Sequence, residues 1–312
     1  MTVVLQLGRV EEELVGQLQV PEAMRNGVVF LYCRVGGELR PAGTAFFVAY
    51  PVTDDDSFTV LLTAHHVIAG IERVSDDNRT LIRLNTLSGG ATWFETSTEF
   101  WRHDDPHVDC ALLPWHPPTE MNVDFSAWHL RDGIATDEVI RHEALGVGDE
   151  VFMVGLFRRH LGQDRNEPIV RIGNVAALPA DPIRGGVYGD MRAILIEARS
   201  IGGLSGSPVF IHMGYVRWRD GAVMHATGEM PFQLLGLMHG HWDVSESEID
   251  NALDSANGRD SIHTGIGIVV PIEQIMQSVT PFLEQHAATW RLEHDHSSQA
   301  SLDAGDPEPT GE

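Results

Sequence analysis

The 312-residue sequence contains no lysine and only two cysteines, Cys33 and Cys110. Two cysteines exclude a disulfide framework but leave one isolated bridge open. Because 45 acidic residues outnumber 21 arginines, the net charge of −24 argues against a nucleic-acid partner. No apolar run approaches the ~18 residues of a membrane-spanning helix. Residues 1–20 lack a basic start, an apolar core and a cleavage site, so we expect a cytoplasmic protein with reduced thiols.

Short apolar runs, separated by Gly, Pro and Asp, dominate the sequence. There are eleven of them: Val28–Arg34, Gly43–Tyr50, Phe58–Thr63, Thr80–Leu84, Asp109–Pro114, Glu150–Gly155, Ile169–Ala176, Ala193–Ala198, Pro208–His212, Leu234–His239 and Gly265–Pro271. Many short strands with turn signals between them are typical of a barrel or a sandwich. We therefore predict an all-β fold.

Clear helical periodicity occurs only in Pro271–Arg291. Apolar residues recur there at three- and four-residue steps, namely Ile272, Ile275, Met276, Val279, Phe282 and Leu283. This pattern predicts a core-packing C-terminal helix that begins beside Pro271. The following tail, Glu293–Glu312, is acidic, small and polar, which predicts disorder.

A glycine-rich segment, Gly202–Ser207, contains the candidate nucleophile Ser205. A serine hydroxyl attacks a peptide bond when an imidazole takes its proton and a carboxylate orients that imidazole. Glycines on both sides permit a tight turn that presents the hydroxyl. The same turn can aim the amide groups of Gly203 and Ser205 at the oxyanion that develops during attack.

His66 and Asp109 are the candidate partners of this serine. His66 follows the apolar run Phe58–Thr63, and Asp109 leads another apolar run. Taken alone, each is more often a surface or core residue than a catalyst. Together with Ser205 they occur in the order His, Asp, Ser, each beside a predicted strand. We therefore predict that His66 is the base, Asp109 the orienting carboxylate and Ser205 the nucleophile.

Five segments resemble the chymotrypsin superfamily of peptidases, especially its bacterial HtrA-type and glutamyl-endopeptidase-like branches. They are Gly43–Val48, Thr63–Ile68, Val108–Leu113, Gly203–Pro208 and Gly265–Pro271. The register of the family's Thr-x-x-His-Val motif selects His66 over His65. The resemblance implies two six-stranded antiparallel β-barrels with the triad in the crevice between them, and an oxyanion hole formed by Gly203 and Ser205.

The resemblance also suggests a division of the chain into four parts. They are an N-terminal extension over 1–27, a first barrel over 28–135, a second barrel with the helix over 136–292, and a disordered acidic tail over 293–312. The first barrel would supply the histidine and the aspartate, and the second would supply the serine.

Three further residues fall near the substrate pocket if the family's spacing holds. Arg199 would lie at the floor of the primary specificity pocket, with His239 and His241 on the strand along one wall. Their charge suits an acidic substrate residue, although an arginine turned to solvent fits the same sequence. We expect a polypeptide substrate and no cofactor.

A metal site is not predicted. His103 and His107 lie four residues apart, but Pro106 between them disfavours a helix. No glutamate follows His103, and no cysteine pair completes a set of ligands.

Two other functions agree with fewer features of the sequence. An α/β-hydrolase esterase requires Gly-x-Ser-x-Gly and the order Ser, acid, His, whereas Ser207 follows Gly206 here. A catalytically silent protein that binds peptides or a partner through the same fold stays open. Because an intracellular protease must be restrained, we expect a narrow substrate range, a closed resting state, or control by an associated protein.

Overall fold

The computed structural model describes residues 20–54, 56–184, 186–198, 203–214, 216–219, 222–225, 231–245 and 261–303. Most of their regular structure is β-strand, and one long helix follows the last strand, so the all-β prediction with a C-terminal helix is confirmed. No helix within these ranges is both long and apolar enough to cross a membrane. Both cysteines are buried and free.

The first sheet is an open half-barrel. Its strands are β1 (Val28–Val35), β2 (Glu38–Pro51), β3 (Ser57–Thr63), β4 (Arg79–Asn85), β5 (Ala91–Ser97), β6 (Ala111–Pro114) and β7 (Trp128–His129). The order is β5-β4-β1-β2-β3-β6, with antiparallel neighbours, and β7 pairs parallel with β2. Arg102 exchanges two backbone hydrogen bonds (2.8 and 2.9 Å) with Leu112 of β6. This loop residue occupies the edge of β6 that β5 would need to close the predicted first barrel.

The second sheet is a closed barrel of six strands, as predicted. They are β8 (Glu150–Gly155), β9 (Ile169–Ala177), β12 (Ile194–Glu197), β13 (Pro208–His212), β16 (Phe232–Ser245) and β17 (Ser261–Pro271). The closed order is β12-β17-β16-β13-β8-β9, and every neighbouring pair is antiparallel. Two short hairpins lie outside the barrel: β10 (Ile183–Arg184) with β11 (Asp190–Met191), and β14 (Val216–Arg219) with β15 (Ala222–His225).

Every one of the eleven predicted runs corresponds to a strand of these two sheets. The sequence analysis missed two strands of these sheets, the two-residue β7 and the seven-residue β5. Strand β5 pairs only with β4 at the edge of the half-barrel, and its Trp93 is 41% exposed. Because an edge strand needs no continuous apolar run, β5 lacks the pattern that indicated the others.

Four α-helices lie within the described residues: α1 (Glu22–Asn26), α2 (His65–Val74), α3 (Asp137–His142) and α4 (Ile272–Asp303). The predicted C-terminal helix is α4, and its buried face carries Ile272, Ile275, Val279, Leu283 and Ala287. This helix continues past Arg291 to Asp303, so residues 293–303, for which disorder was predicted, are helical. Residues 1–19 and 304–312 of the predicted extension and tail lie outside the described residues.

The hydrophobic core continues across the junction between the two sheets. Phe210 of β13 packs against Trp128 of β7 with ring centroids 4.8 Å apart, and against Phe152 of β8 at 5.2 Å. Phe46 and Phe47 of β2 belong to the same buried cluster. This shared packing fixes the half-barrel against the barrel and so fixes the cleft between them. The predicted domain boundary at residues 135 and 136 falls between β7 and α3, and it stays a prediction.

Candidate active site

His66 lies in the first turn of α2, directly after β3. A helix leaves its first amide N–H groups without partners inside the helix. The amide of His66 donates to Oδ1 of Asp109 at 2.9 Å, and the ring Nδ1 lies 2.7 Å from Oδ2. The carboxylate therefore caps the start of α2 and orients the imidazole at the same time.

Asp109 is fully buried, with 0% of its side chain exposed, just before β6. Burial favours the neutral acid, but the hydrogen bonds from His239 and His66 outweigh it and hold the pKa of Asp109 well below its usual range. The side chain is therefore a carboxylate at neutral pH and accepts hydrogen bonds only. It follows that Nδ1 of His66 carries the proton, which leaves Nε2 of the neutral ring as an acceptor.

His239 of β16 contacts the same carboxylate oxygen. Its Nδ1 lies 2.5 Å from Oδ2 of Asp109, and its side chain is 19% exposed. The rings of His66 and His239 stand edge to face, with centroids 5.3 Å apart and planes at 75°. The sequence placed His239 on a pocket wall and did not indicate this contact, because the contact depends on how the barrel meets the half-barrel.

Ser205 lies in the turn before β13, and backbone hydrogen bonds hold that turn against both sheets. The amide of Thr44 in β2 donates to the carbonyl of Ser205 at 3.0 Å, and the amide of Gly206 donates to Met238 at 2.8 Å. Gly206 has φ +81°, and a Cβ there would lie 2.2 Å from the carbonyl oxygen of Thr44. Only glycine fits this position, for both reasons.

The Ser205 hydroxyl donates to the backbone carbonyl of His239 at 3.3 Å. No hydrogen bond joins it to His66 among the residues that the structure describes, although both side chains line one cavity of about 500 Å³. Candidate catalytic hydrogen bonds are often long or misaligned before substrate binds.

The two predicted oxyanion donors lie beside this hydroxyl. Within the described ranges, the amide groups of Gly203 and Ser205 have no hydrogen-bond acceptor, and their role as oxyanion donors stays a prediction. Gly203 is buried with φ +111°, and a Cβ there would lie 2.4 Å from Leu156. The hydroxyl of Thr44 fixes the other side of this residue by donating to its carbonyl oxygen at 2.9 Å.

The candidate triad draws on both sheets. His66 and Asp109 come from the half-barrel, Ser205 comes from the closed barrel, and His66 and Ser205 face the cleft between them. This is the chymotrypsin-like fold.

The solved structures that are similar to this chain include the following two. The crystal structure of Deg5 has 17% sequence identity and a TM-score of 0.47, with 84% of this chain and 91% of that chain covered. An inactive form of Rv3671c from M. tuberculosis H37Rv, carrying a serine-to-alanine substitution, has 16% identity and a TM-score of 0.42, with 83% and 89% covered. These similarities concern the fold alone. No protein-family model and no curated protein matches the sequence.

A group of aromatic rings packs beside the carboxylate of Asp109. The hydroxyl of Tyr188 lies 3.0 Å from Nδ1 of His65, and the ring of His65 stacks on His103 with centroids 3.5 Å apart. Burial, followed by repulsion from His103, lowers the pKa of His65 to about 4. Burial and the nearby charge of Asp109 raise the pKa of Tyr188. At neutral pH, His65 and Tyr188 therefore add no charge beside the carboxylate, and neither role was indicated by the sequence.

The predicted substrate-pocket residues are only partly described. Arg199 lies outside the described residues. His241 is half-buried on β16, opposite Gly267 of β17, and His239 contacts Asp109 as described above. The assignment of these residues to a substrate pocket stays a prediction.

Within the described part of the chain, one group of side chains has the spacing that a metal ion requires. The nearest ligating atoms of His66, Asp109 and His239 all lie within 4.8 Å of one another. Their separations of 2.7 and 2.5 Å are hydrogen-bond lengths, so N–H to carboxylate bonds account for both contacts. His103 and His107, the histidine pair considered in the sequence analysis, have different partners. Nδ1 of His103 contacts the carbonyl of Cys110, and Nδ1 of His107 contacts the carbonyl of Tyr188.

Proposed function

We propose that this chain is a serine endopeptidase that hydrolyses peptide bonds through Ser205, His66 and Asp109. The strongest support is the oriented pair of His66 and buried Asp109, 2.7 Å apart, on the same cavity as Ser205. The chymotrypsin-like fold implies polypeptide substrates. The pairing leaves Nε2 of His66 free to accept the hydroxyl proton.

The reaction follows from this proton arrangement. The oxygen of Ser205 attacks the carbonyl carbon of the scissile bond while its proton passes to Nε2 of His66, and Asp109 stabilises the imidazolium. The amide groups of Gly203 and Ser205 stabilise the oxyanion. The proton on His66 then passes to the leaving amine, and an acyl-enzyme forms on Ser205. Water hydrolyses this ester with His66 acting again as base.

One observation also favours a second candidate, a catalytically silent protein that binds peptides in the same cleft. The resting hydroxyl of Ser205 donates to the carbonyl of His239 rather than to His66. Attack therefore requires the hydroxyl of Ser205 to turn from this carbonyl towards His66. A protein in which this movement never occurs would bind peptides without cleaving them.

Labelling with a fluorophosphonate probe separates the two candidates. We expect the wild-type chain to be labelled and Ser205→Ala to lose labelling completely. In His66→Ala, the labelling rate should fall by roughly 10⁶-fold, because the nucleophile loses its base. Ser88→Ala and His129→Ala are matched controls, since both residues are exposed and neither lines the cavity that contains His66 and Ser205. Absence of Ser205-dependent labelling in the folded wild-type chain would favour the silent binder.

A restricted substrate range forms part of this proposal. In the resting state, the hydroxyl of Ser205 is bonded to the carbonyl of His239 and not to its proposed base, His66. We expect the isolated chain to cleave few proteins until a substrate or a regulatory partner binds. Broad digestion of casein by the isolated chain would contradict this restriction while leaving the peptidase assignment intact. Location in the cytoplasm stays a prediction.

A further inference from the structure

The cavity that contains Ser205 extends away from the nucleophile along the half-barrel. Its volume is about 500 Å³, a size typical of ligand pockets. The inner wall is apolar and includes Cys33 of β1 together with Val67 and Ile71 of α2. This wall therefore suits an apolar side chain of a bound peptide.

The position of this cavity indicates which part of a bound substrate it would contact, the part before or the part after the scissile bond. In the proposed mechanism, His66 hands its proton to the leaving amine, so the leaving segment must pass on the side where His66 stands. The cavity is lined by His66 and other residues of α2 and by residues of β1 and β2, whereas no residue from the described side chains of β16 (232–241) lines it. It is therefore the site for residues that follow the scissile bond.

Of the residues that the structure describes, three arginines and no acidic residue line the cavity. They are Arg40, Arg73 and Arg158, and all three are exposed. Arg40 forms a long ion pair of 3.8 Å with Glu38. Among the described residues, Arg73 and Arg158 form no ion pair, and Arg158 makes only a 3.4 Å contact with the carbonyl of Ala42.

This local charge contrasts with the rest of the molecule. The whole chain carries a net charge of −24, so an acidic peptide is repelled by most of its surface. The guanidinium groups of Arg73 and Arg158, which have no carboxylate partner among the described residues, are a local exception to this negative charge on the cavity that contains Ser205. Arginine is well suited to bind a carboxylate through paired hydrogen bonds.

We infer that Arg73 and Arg158 select substrates with Asp or Glu among the first few residues after the scissile bond. This inference rests on the proposed peptidase function and concerns the leaving segment of the substrate. The apolar wall takes a neighbouring apolar side chain, and the arginines at the rim bind the acidic ones.

Cleavage-site profiling of a peptide library tests this specificity. The folded full-length chain would be incubated with the library, and the new N-termini would be identified by mass spectrometry. We expect Asp and Glu to be enriched after the cut, and Arg73→Gln with Arg158→Gln to lower the enrichment about three- to tenfold. The enrichment should also weaken at high salt, because these guanidinium groups are exposed.

Charge reversal provides the sharper comparison. Arg73→Glu with Arg158→Glu should shift the preference after the cut from acidic to basic residues, an effect that a merely structural role would not produce. Arg141→Gln is the matched control, because Arg141 is an exposed arginine on α3, outside the cavity. Fluorophosphonate labelling should stay unchanged in Arg141→Gln, and Ser205-dependent labelling should persist in the other variants, which shows that their active site still folds.

The outcomes distinguish the two proposals. Ser205-dependent labelling with no acidic enrichment, or with an enrichment that the arginine variants leave unchanged, would overturn this inference and retain the peptidase. Absence of Ser205-dependent labelling would overturn both.

Discussion

At the scale of single residues, the carboxylate of Asp109 receives hydrogen bonds from two imidazoles that belong to different sheets. The carboxylate orients the ring of His66 at the start of α2, and the ring of His239 in β16 contacts the same carboxylate. A buried carboxylate is costly unless it is paired and hydrogen-bonded. His239 therefore acts as a positioning and stabilising residue for Asp109, separate from the proton path that we propose through His66.

His239→Ala should lower the free energy of unfolding by about 1–3 kcal/mol, the range for losing a hydrogen bond to a buried charge. The fluorophosphonate labelling rate should fall far less than in His66→Ala, because Nε2 of His66 keeps its role. Urea unfolding and labelling kinetics check both expectations. His239→Gln, which retains a donor, should recover part of the stability, and an Ala variant as stable as the wild type would show that the contact contributes nothing.

At the scale of elements, β2 joins the nucleophile turn to the half-barrel through Thr44. This residue is fully buried. Its hydroxyl donates to the carbonyl of Gly203 and accepts from the amide of Leu156, each at 2.9 Å, while its own amide donates to Ser205. One side chain therefore connects β2, the segment after β8 and the predicted oxyanion hole.

Thr44→Val should lower the free energy of unfolding by about 2 kcal/mol or more, because it leaves Gly203 and Leu156 with buried polar groups that lack a partner. We also expect slower fluorophosphonate labelling, since the turn at Gly203 loses its support. Thr44→Ser keeps the hydroxyl and serves as the control. If Val and Ser variants label at the same rate, the hydroxyl of Thr44 has no part in positioning the turn.

At the scale of the whole molecule, the excess of 45 acidic over 21 basic residues opposes compaction through self-repulsion. Added salt screens this repulsion, since the Debye length falls from ~30 Å at ~0.01 M to ~3 Å at ~1 M. Surface ion pairs such as that of Arg34 with Asp77, 2.7 Å apart, weaken at the same time but contribute little.

The thermal unfolding midpoint at neutral pH should therefore rise with sodium chloride concentration. The same salt series near the sequence pI of about 4.9 is the control, because the net charge there is close to zero and the rise should largely disappear. A midpoint that falls with salt at neutral pH would show that specific ion pairs outweigh the net repulsion.

Local sequence patterns were enough to predict much of the fold of this molecule. Eleven strands follow from apolar runs between turn residues, α4 follows from its three- and four-residue periodicity, and glycines mark the turn around Ser205. These features depend on neighbours in the sequence, where side-chain alternation and backbone freedom decide the structure. The strands β5 and β7 and the helix α2 were missed. In α2, the buried residues Val67, Ile68 and Ile71 do have helical spacing, but the helix is only ten residues long and directly follows a strand.

Contacts between distant segments were decided only by the tertiary structure. The first sheet stays open because Arg102 pairs with the edge of β6 that β5 would need. The contact of His239 with Asp109 depends on how the barrel packs against the half-barrel. The unpaired Arg73 and Arg158 meet at one cavity for the same reason. Such contacts join residues tens of positions apart, and their geometry follows from strand register and core packing, which leave no local mark in the sequence.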